Sequence, residues 1–208
     1  SAYQQSGYTP LHVAATELNH RGVNFLLGYS ADPNKQNKFG DTPLMSAMLK
    51  NGTAADRLLV VQALLENGAD VNLEDNQGLT ALHQALKRNH SACALSIIKS
   101  KNFDANRLDN RNATPVFEAI SWRDVDAIRA ILPLINDENI NRESAFHNTP
   151  FMAAVQSGDI NVVRAVLSDP KGRIDINHRN AATLPHTALG FARAHLGSGD
   201  QRFVAIIN

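Results

Sequence analysis

Disulfides, long apolar runs and an overall charge are all missing from this 208-residue chain. A single cysteine, Cys93, excludes an internal disulfide and suits a reducing compartment. No stretch approaches the roughly eighteen consecutive apolar residues of a spanning helix, so membrane insertion is not expected. The N-terminus, Ser1-Ala2-Tyr3-Gln4-Gln5, has neither the basic nor the apolar region of a secretory signal, and a cytoplasmic location follows as the default. Lys plus Arg equals Asp plus Glu at 20 each, which leaves no net field to gather nucleic-acid phosphates or anionic lipid. Catalytic signatures are missing too: there is no H-E-x-x-H, G-x-G-x-x-G, P-loop or nucleophile elbow. His178, His186 and His195 are spaced too widely to suggest a metal site, and Gly197-Ser198-Gly199 lacks the spacing of a phosphate loop. Asp124 and Asp126 flank Val125 at a helix start, where the macrodipole accounts for them. No catalytic, cofactor-binding or metal-ligating residue is therefore assigned, no cofactor is expected, and the chain is read as a non-enzyme.

What the chain does have is apolar side chain, 43% of its residues, with 19% charged, enough for a folded soluble protein built as one elongated domain or two small ones. It lacks an initiator methionine and stops at Phe203-Val204-Ala205-Ile206-Ile207-Asn208, an uncapped apolar run, so a piece of a longer protein is expected.

It also repeats. Thr9-Pro10-Leu11-His12, Thr42-Pro43-Leu44-Met45, Thr80-Ala81-Leu82-His83, Thr114-Pro115-Val116-Phe117, Thr149-Pro150-Phe151-Met152 and Thr187-Ala188-Leu189-Gly190 follow one another at intervals of 33 to 38 residues. Ahead of them, in nearly fixed register, lie Asp32-Pro33-Asn34, Asp70-Val71-Asn72, Asp104-Ala105-Asn106, Asn139-Ile140-Asn141 and Asp175-Ile176-Asn177. Threonine before proline is a helix start, because the hydroxyl accepts from a free first-turn amide and proline at the first helical position forfeits no bond. A second helix follows each, with apolar residues at three and four spacing as in Leu59-Val60-Val61-Gln62-Ala63-Leu64-Leu65. Gly68 supplies a left-handed helix end, and Glu74-Asp75-Asn76-Gln77-Gly78 makes a turn before the next threonine.

These residues closely resemble the ankyrin repeat, a turn, T-P-L-H-x-A and two helices over about 33 residues. The resemblance implies an all-α solenoid of stacked helix-turn-helix units with projecting β-hairpin or loop fingers. One domain is expected over 1–208, with repeats at 7–39, 40–77, 78–111, 112–146 and 147–184 and a partial one at 185–208. The motif histidine survives only as His12 and His83, so bonding should thin where Met45, Phe117, Met152 and Gly190 replace it. Insertions fall at 50–55, between the helices of the second repeat, and around 168–173 and 180–183 in the fifth. The asparagine-rich, irregular repeats also resemble ankyrin effectors of intracellular bacteria, which would act in a host cytosol.

The resemblance further implies a monomeric, non-catalytic scaffold that holds a protein or peptide ligand on a concave face of finger tips and first helices. The alternative is a targeting or substrate-recruiting part of a larger enzyme or effector. Trp122, the only tryptophan, leads the contact residues, with Arg88, Arg111 and Phe146 beside it across repeats two to five. Phe39 at a finger tip and Tyr8 and Leu79 just before motif threonines complete the set. Lys87, Arg88, Arg107 and Arg111 are expected to form a basic strip suited to an acidic peptide. Each has a plainer reading as well: Trp122 folding over its own helix end, Phe39 and Phe146 packing their turns, the basic strip a solvated face. Cys93 sits in an apolar helix and reads as a buried, inert thiol. Leu64 with Asp70-Val71-Asn72 resembles the asparagine-hydroxylation context of ankyrin repeats, against a purely structural role for Asn72 in its hairpin.

Overall fold

The computed structural model describes residues 6–109, 111–181, 187, 188, 190 and 192. Most of the partial repeat at 185–208, including His186, His195, Gly197-Ser198-Gly199 and the closing run from Phe203, lies outside them, as do Asn110 and the positions 182 and 183 of the fifth insertion. The described residues are helices and turns, with no strand among them. They fall into two compact units, Ser1–Asp104 and Ala105–Asn208.

The first unit holds three helix pairs: α1 (Pro10–Thr16) with α2 (His20–Gly28), α3 (Pro43–Ser46) with α4 (Ala54–Glu66), and α5 (Ala81–Lys87) with α6 (Ser91–Ile98). First helices pack on first helices, α1 on α3 and α3 on α5, and second helices likewise, α2 on α4 and α4 on α6. The second unit holds α7 (Pro115–Ser121), α8 (Val125–Ile131) and a 3-10 turn at Leu132–Leu134, followed by α9 (Pro150–Gln156) and α10 (Ile160–Leu167). There α7 packs on α9 and α8 on α10. No described helix is long and apolar enough to cross a membrane.

Threonine starts the first helix of every pair, and its partner three residues on decides how well. In the first repeat the Thr9 N–H donates to His12 Nδ1 at 3.1 Å, so the ring carries its proton on Nε2 and donates it to the Asp41 carbonyl of the next repeat at 2.9 Å. His83 closes the same box on Thr80, whose N–H lies 3.1 Å from Nδ1. Met45 substitutes with sulfur, accepting from the Thr42 N–H at 3.5 Å, while Thr42 Oγ1 takes the Met45 N–H at 3.3 Å. The expected thinning is sharpest at Phe117, where the buried Thr114 hydroxyl has no hydrogen-bond partner. Thr187 Oγ1 accepts from the Gly190 N–H at 3.1 Å, the same cap at the sixth anchor.

The insertion in the second repeat is shorter than the sequence suggests, because Thr53 caps α4 and Ala54 and Ala55 already belong to the helix. It shortens α3 to four residues, and buried Arg57 takes over the freed carbonyls: its Nε donates to the Ala47 carbonyl at 3.1 Å and its Nη2 to that of Lys50.

The asparagine anchors acquire a mechanism that periodicity alone does not give. Asn34 Oδ1 accepts from the Asp70 N–H at 2.7 Å and its Nδ2 donates to the Gly68 carbonyl at 3.0 Å, tying one repeat to the next. Asn72 makes the same pair of bonds to Asp104 and Asn102, and Asn141 to Asp175 and Arg173. Asn106 does so with Asn136 and Leu134. Each amide satisfies one backbone donor and one backbone acceptor that would otherwise be orphaned at a helix end. Asn72 thus has the structural role that its hairpin position suggested.

The fingers take the loop form. Each is closed across its tip by a backbone N–H to carbonyl bond, Asn37 to Asp41, Asp75 to Leu79, Asp109 to Ala113 and Ser144 to Asn148, between 2.9 and 3.0 Å, with a tighter turn bond inside it. Successive tips bond directly, Asn76 N–H to the Phe39 carbonyl at 2.9 Å in the first unit. Gly40 fits there only as glycine: its φ is +81°, and a Cβ would stand 2.7 Å from the Asn76 nitrogen.

Candidate functional site

The second unit carries a groove of about 380 Å³ between two fingers and the first helices that follow them. The fingers place Arg111, Phe146 and Asn148 on it; α7 contributes Phe117 and Glu118, and α9 contributes Gln156. Arg123, past the end of α7, completes the rim.

Its charges are arranged unevenly. Arg111 Nε donates to Asp109 Oδ2 at 2.8 Å and Nη2 reaches Glu118 Oε2 at 3.4 Å. Burial pushes the Asp109 carboxyl up, but hydrogen bonds from the Ala113 N–H and Arg111 outweigh it and hold the group below the ordinary carboxylate range. The hydrogen bond that Arg111 donates to Asp109 raises Arg111 in turn. Glu118 spends its other oxygen on the Trp122 indole, Nε1 to Oε1 at 2.7 Å. Arg123 is different: held at φ 56°, it donates Nη2 to the Ser157 carbonyl at 3.0 Å and meets no carboxylate among the described residues. Across the groove Asn148 and Gln156 pair reciprocally, at 3.0 and 3.1 Å.

The residues singled out in the sequence divide between the units. Tyr8, Phe39, Leu79, Lys87 and Arg88 belong to the first, and Arg111, Trp122 and Phe146 to the second. Phe146 is 68% exposed and lines the groove. Trp122 is 46% exposed but folds over the end of its own helix onto Glu118, which lines the groove while Trp122 does not. Phe39 is exposed at its tip, Tyr8 meets the His12 ring edge-on at 5.6 Å, and Lys87 and Arg88 project from the end of α5. Arg111 is a correction: it was to be a cation of an open basic strip, and Asp109 and Glu118 neutralise it. Asp109, two residues away in sequence, was the signal for this.

Sequence reasoning missed Arg123, because a left-handed residue after a helix carries no motif when it is not glycine. It also missed the Asn148–Gln156 pair and the exposed aromatic pair of Phe25 on α2 and Tyr29 at its C-terminal cap, whose ring centroids lie 4.7 Å apart. Their i, i+4 spacing opposite buried Val23 and Leu27 was a readable sign. Cys93 is buried, and burial pushes its thiol up, away from reactivity.

A family model described as ankyrin repeats in three copies matches residues 11–109, 53–144 and 94–180. The chain is 28% identical over 163 residues to Rabankyrin-5 of Mus musculus, covering 78% of this chain and 14% of that protein. It is 31% identical over 144 residues to Inversin of Canis lupus familiaris, covering 66% of this chain and 13% of the relative. With transient receptor potential cation channel subfamily A member 1 of Homo sapiens it shares 30% identity over 170 residues, 78% of this chain and 15% of the channel. The chain therefore matches only a small part of these much longer proteins, in their repeat regions, and such repeats serve protein–protein interaction in general.

Proposed function

Because the chain belongs to the ankyrin-repeat family, we propose that it is a non-catalytic interaction module that holds a protein or peptide in the groove of its second unit. The observation that carries this reading is the exposed Phe146 ring beside a groove whose polar groups are fixed in place by Asp109, Glu118 and the Asn148–Gln156 pair. An aromatic side chain that stays in water while its polar neighbours are preorganised is the composition of a contact surface, where a few such residues dominate the binding energy. Trp122, braced on Glu118, stands ready to close over a ligand from the helix end. In the first unit, Phe39, Tyr8, Leu79, Lys87 and Arg88 form a second, subsidiary contact set. The module works as a monomer in the cytoplasm.

The test is binding with folding controlled. A displayed peptide library selected on the wild-type protein yields ligands, and Phe146→Ser weakens them by at least tenfold while the thermal unfolding curve stays put. Ligands that bind Phe146→Ser as well as wild type refute the groove as their site.

A second reading, recruitment of a substrate or target for a larger enzyme or effector, draws on the length of the relatives, of which the chain matches about 14%. The same groove would do the recruiting, so expression of the whole reading frame and assay for a linked activity separates the two.

A further inference from the structure

Within that reading, and resting on it, we propose that the groove selects an extended acidic peptide segment, whose carboxylate is received by Arg123. The charged groups of the groove are unequally paired. Arg111 is already shared by Asp109 and Glu118, and both Glu118 oxygens are engaged, one by Arg111 and one by Trp122. What remains is Arg123, a guanidinium whose contact is a neutral carbonyl, that of Ser157. Arg123 is therefore the groove guanidinium with no carboxylate partner among the described residues, and a bound carboxylate is the ligand group that would pair with it.

The amide pair fixes the rest of the ligand. Asn148 and Gln156 each spend one donor and one acceptor on the other, and each keeps a second N–H and a second lone pair. A donor and an acceptor side by side match the N–H and carbonyl of an extended peptide, whereas a helix has spent its own on itself. Phe117 and Phe146 supply apolar surface on the same groove for the flanking side chain. The sequence-level expectation of an acidic ligand is thus kept, but its receptor moves from Arg111 to Arg123.

The experiment uses the full chain and peptides selected from a displayed random library, measured by fluorescence anisotropy. Selected peptides carry Asp or Glu, and replacing that residue by Gln weakens binding about tenfold or more, as loss of a charge-assisted bond does. Arg123→Gln, which keeps a donor for the Ser157 carbonyl, gives the same loss, and Arg123→Glu reverses the preference toward Lys-bearing peptides. Should Arg123→Gln melt early, Arg123→Lys and the salt dependence of wild-type binding decide instead, with affinity falling as salt rises. Peptides that need Phe146 but ignore Arg123, their own carboxylate and salt overturn the acidic ligand and leave the groove standing. Peptides indifferent to Phe146→Ser as well overturn both. A concentration-dependent dimer that Phe146→Ser disperses would make a second copy the occupant, and would equally overturn the proposal.

Discussion

Phe117 stands to Thr114 as His12 stands to Thr9, three residues along the first turn, yet it leaves the buried Thr114 hydroxyl without a partner. An unpaired buried hydroxyl costs about 1–3 kcal/mol, so removing it relieves a penalty. Thr114→Val, which keeps the branched shape, is expected to be neutral or stabilising. Thr149→Val, at a cap whose hydroxyl takes the Met152 N–H at 3.2 Å, is expected to cost about 1 kcal/mol. The urea midpoint falls for Thr149→Val and holds or rises for Thr114→Val; a fall at Thr114→Val would mean that its hydroxyl is paired after all.

The asparagine ladder makes a second prediction. Asn141→Ala strands the Arg173 carbonyl and the Asp175 N–H, at a cost of about 1–3 kcal/mol. Asn141→Asp keeps the acceptor and loses the donor, and should fall between wild type and Ala. Hydrogen exchange at the Asp175 amide reads the bond directly, accelerating in the Ala variant and staying protected in the Asp variant.

Stability should depend on pH in two separate windows. His12 is fully buried and neutral, and burial lowers its pKa despite the bond to the Asp41 carbonyl; His90 is lowered by burial and then by Arg57. In the unfolded chain both titrate near the ordinary histidine value of 6.5. Below that value the unfolded state binds more protons, so stability is complete above 6.5 and declines as pH falls through it toward the folded values. Asp109, Glu143 and Asp169 are held below their ordinary range, and their contribution is lost only below about pH 4. Denaturation midpoints followed down in pH give two drops, the upper one shallower in His12→Gln.

The fold was legible because its signals are local. Thr42-Pro43 starts a helix through its own hydroxyl and ring, and Asp70-Val71-Asn72 marks a turn through its own side chains. The groove was only half legible. Phe146 declared itself as an aromatic in a turn, but the charge of the site depended on which carboxylates fold toward which guanidinium. Arg111 is paired with Asp109 and Glu118, and Arg123 has no carboxylate partner among the described residues, because the chain after α7 turns left-handed and aims it at a carbonyl. Thr42 found a substitute acceptor in Met45 sulfur, an exchange no residue pattern encodes.

Core and surface should separate cleanly at Leu64 and Trp122. Leu64 is fully buried on α4, which packs against both α2 and α6, so Leu64→Ala opens a cavity that three helices share. Its expected cost is about 2–5 kcal/mol. Because each repeat is stabilised mainly by its neighbours, the loss should appear as faster hydrogen exchange in α2 and α6 as well as in α4. Trp122→Ala removes a side chain that is 46% exposed and leaves Glu118 with Arg111 as its partner, so about 1 kcal/mol or less is expected. If Trp122 closes over the ligand, that variant keeps its unfolding curve and loses affinity for the selected peptides, the reverse of Leu64→Ala at equal folded concentration. A Trp122→Ala protein that binds at wild-type strength removes the indole from the contact surface and leaves its bond to Glu118 as a means of holding that carboxylate against Arg111.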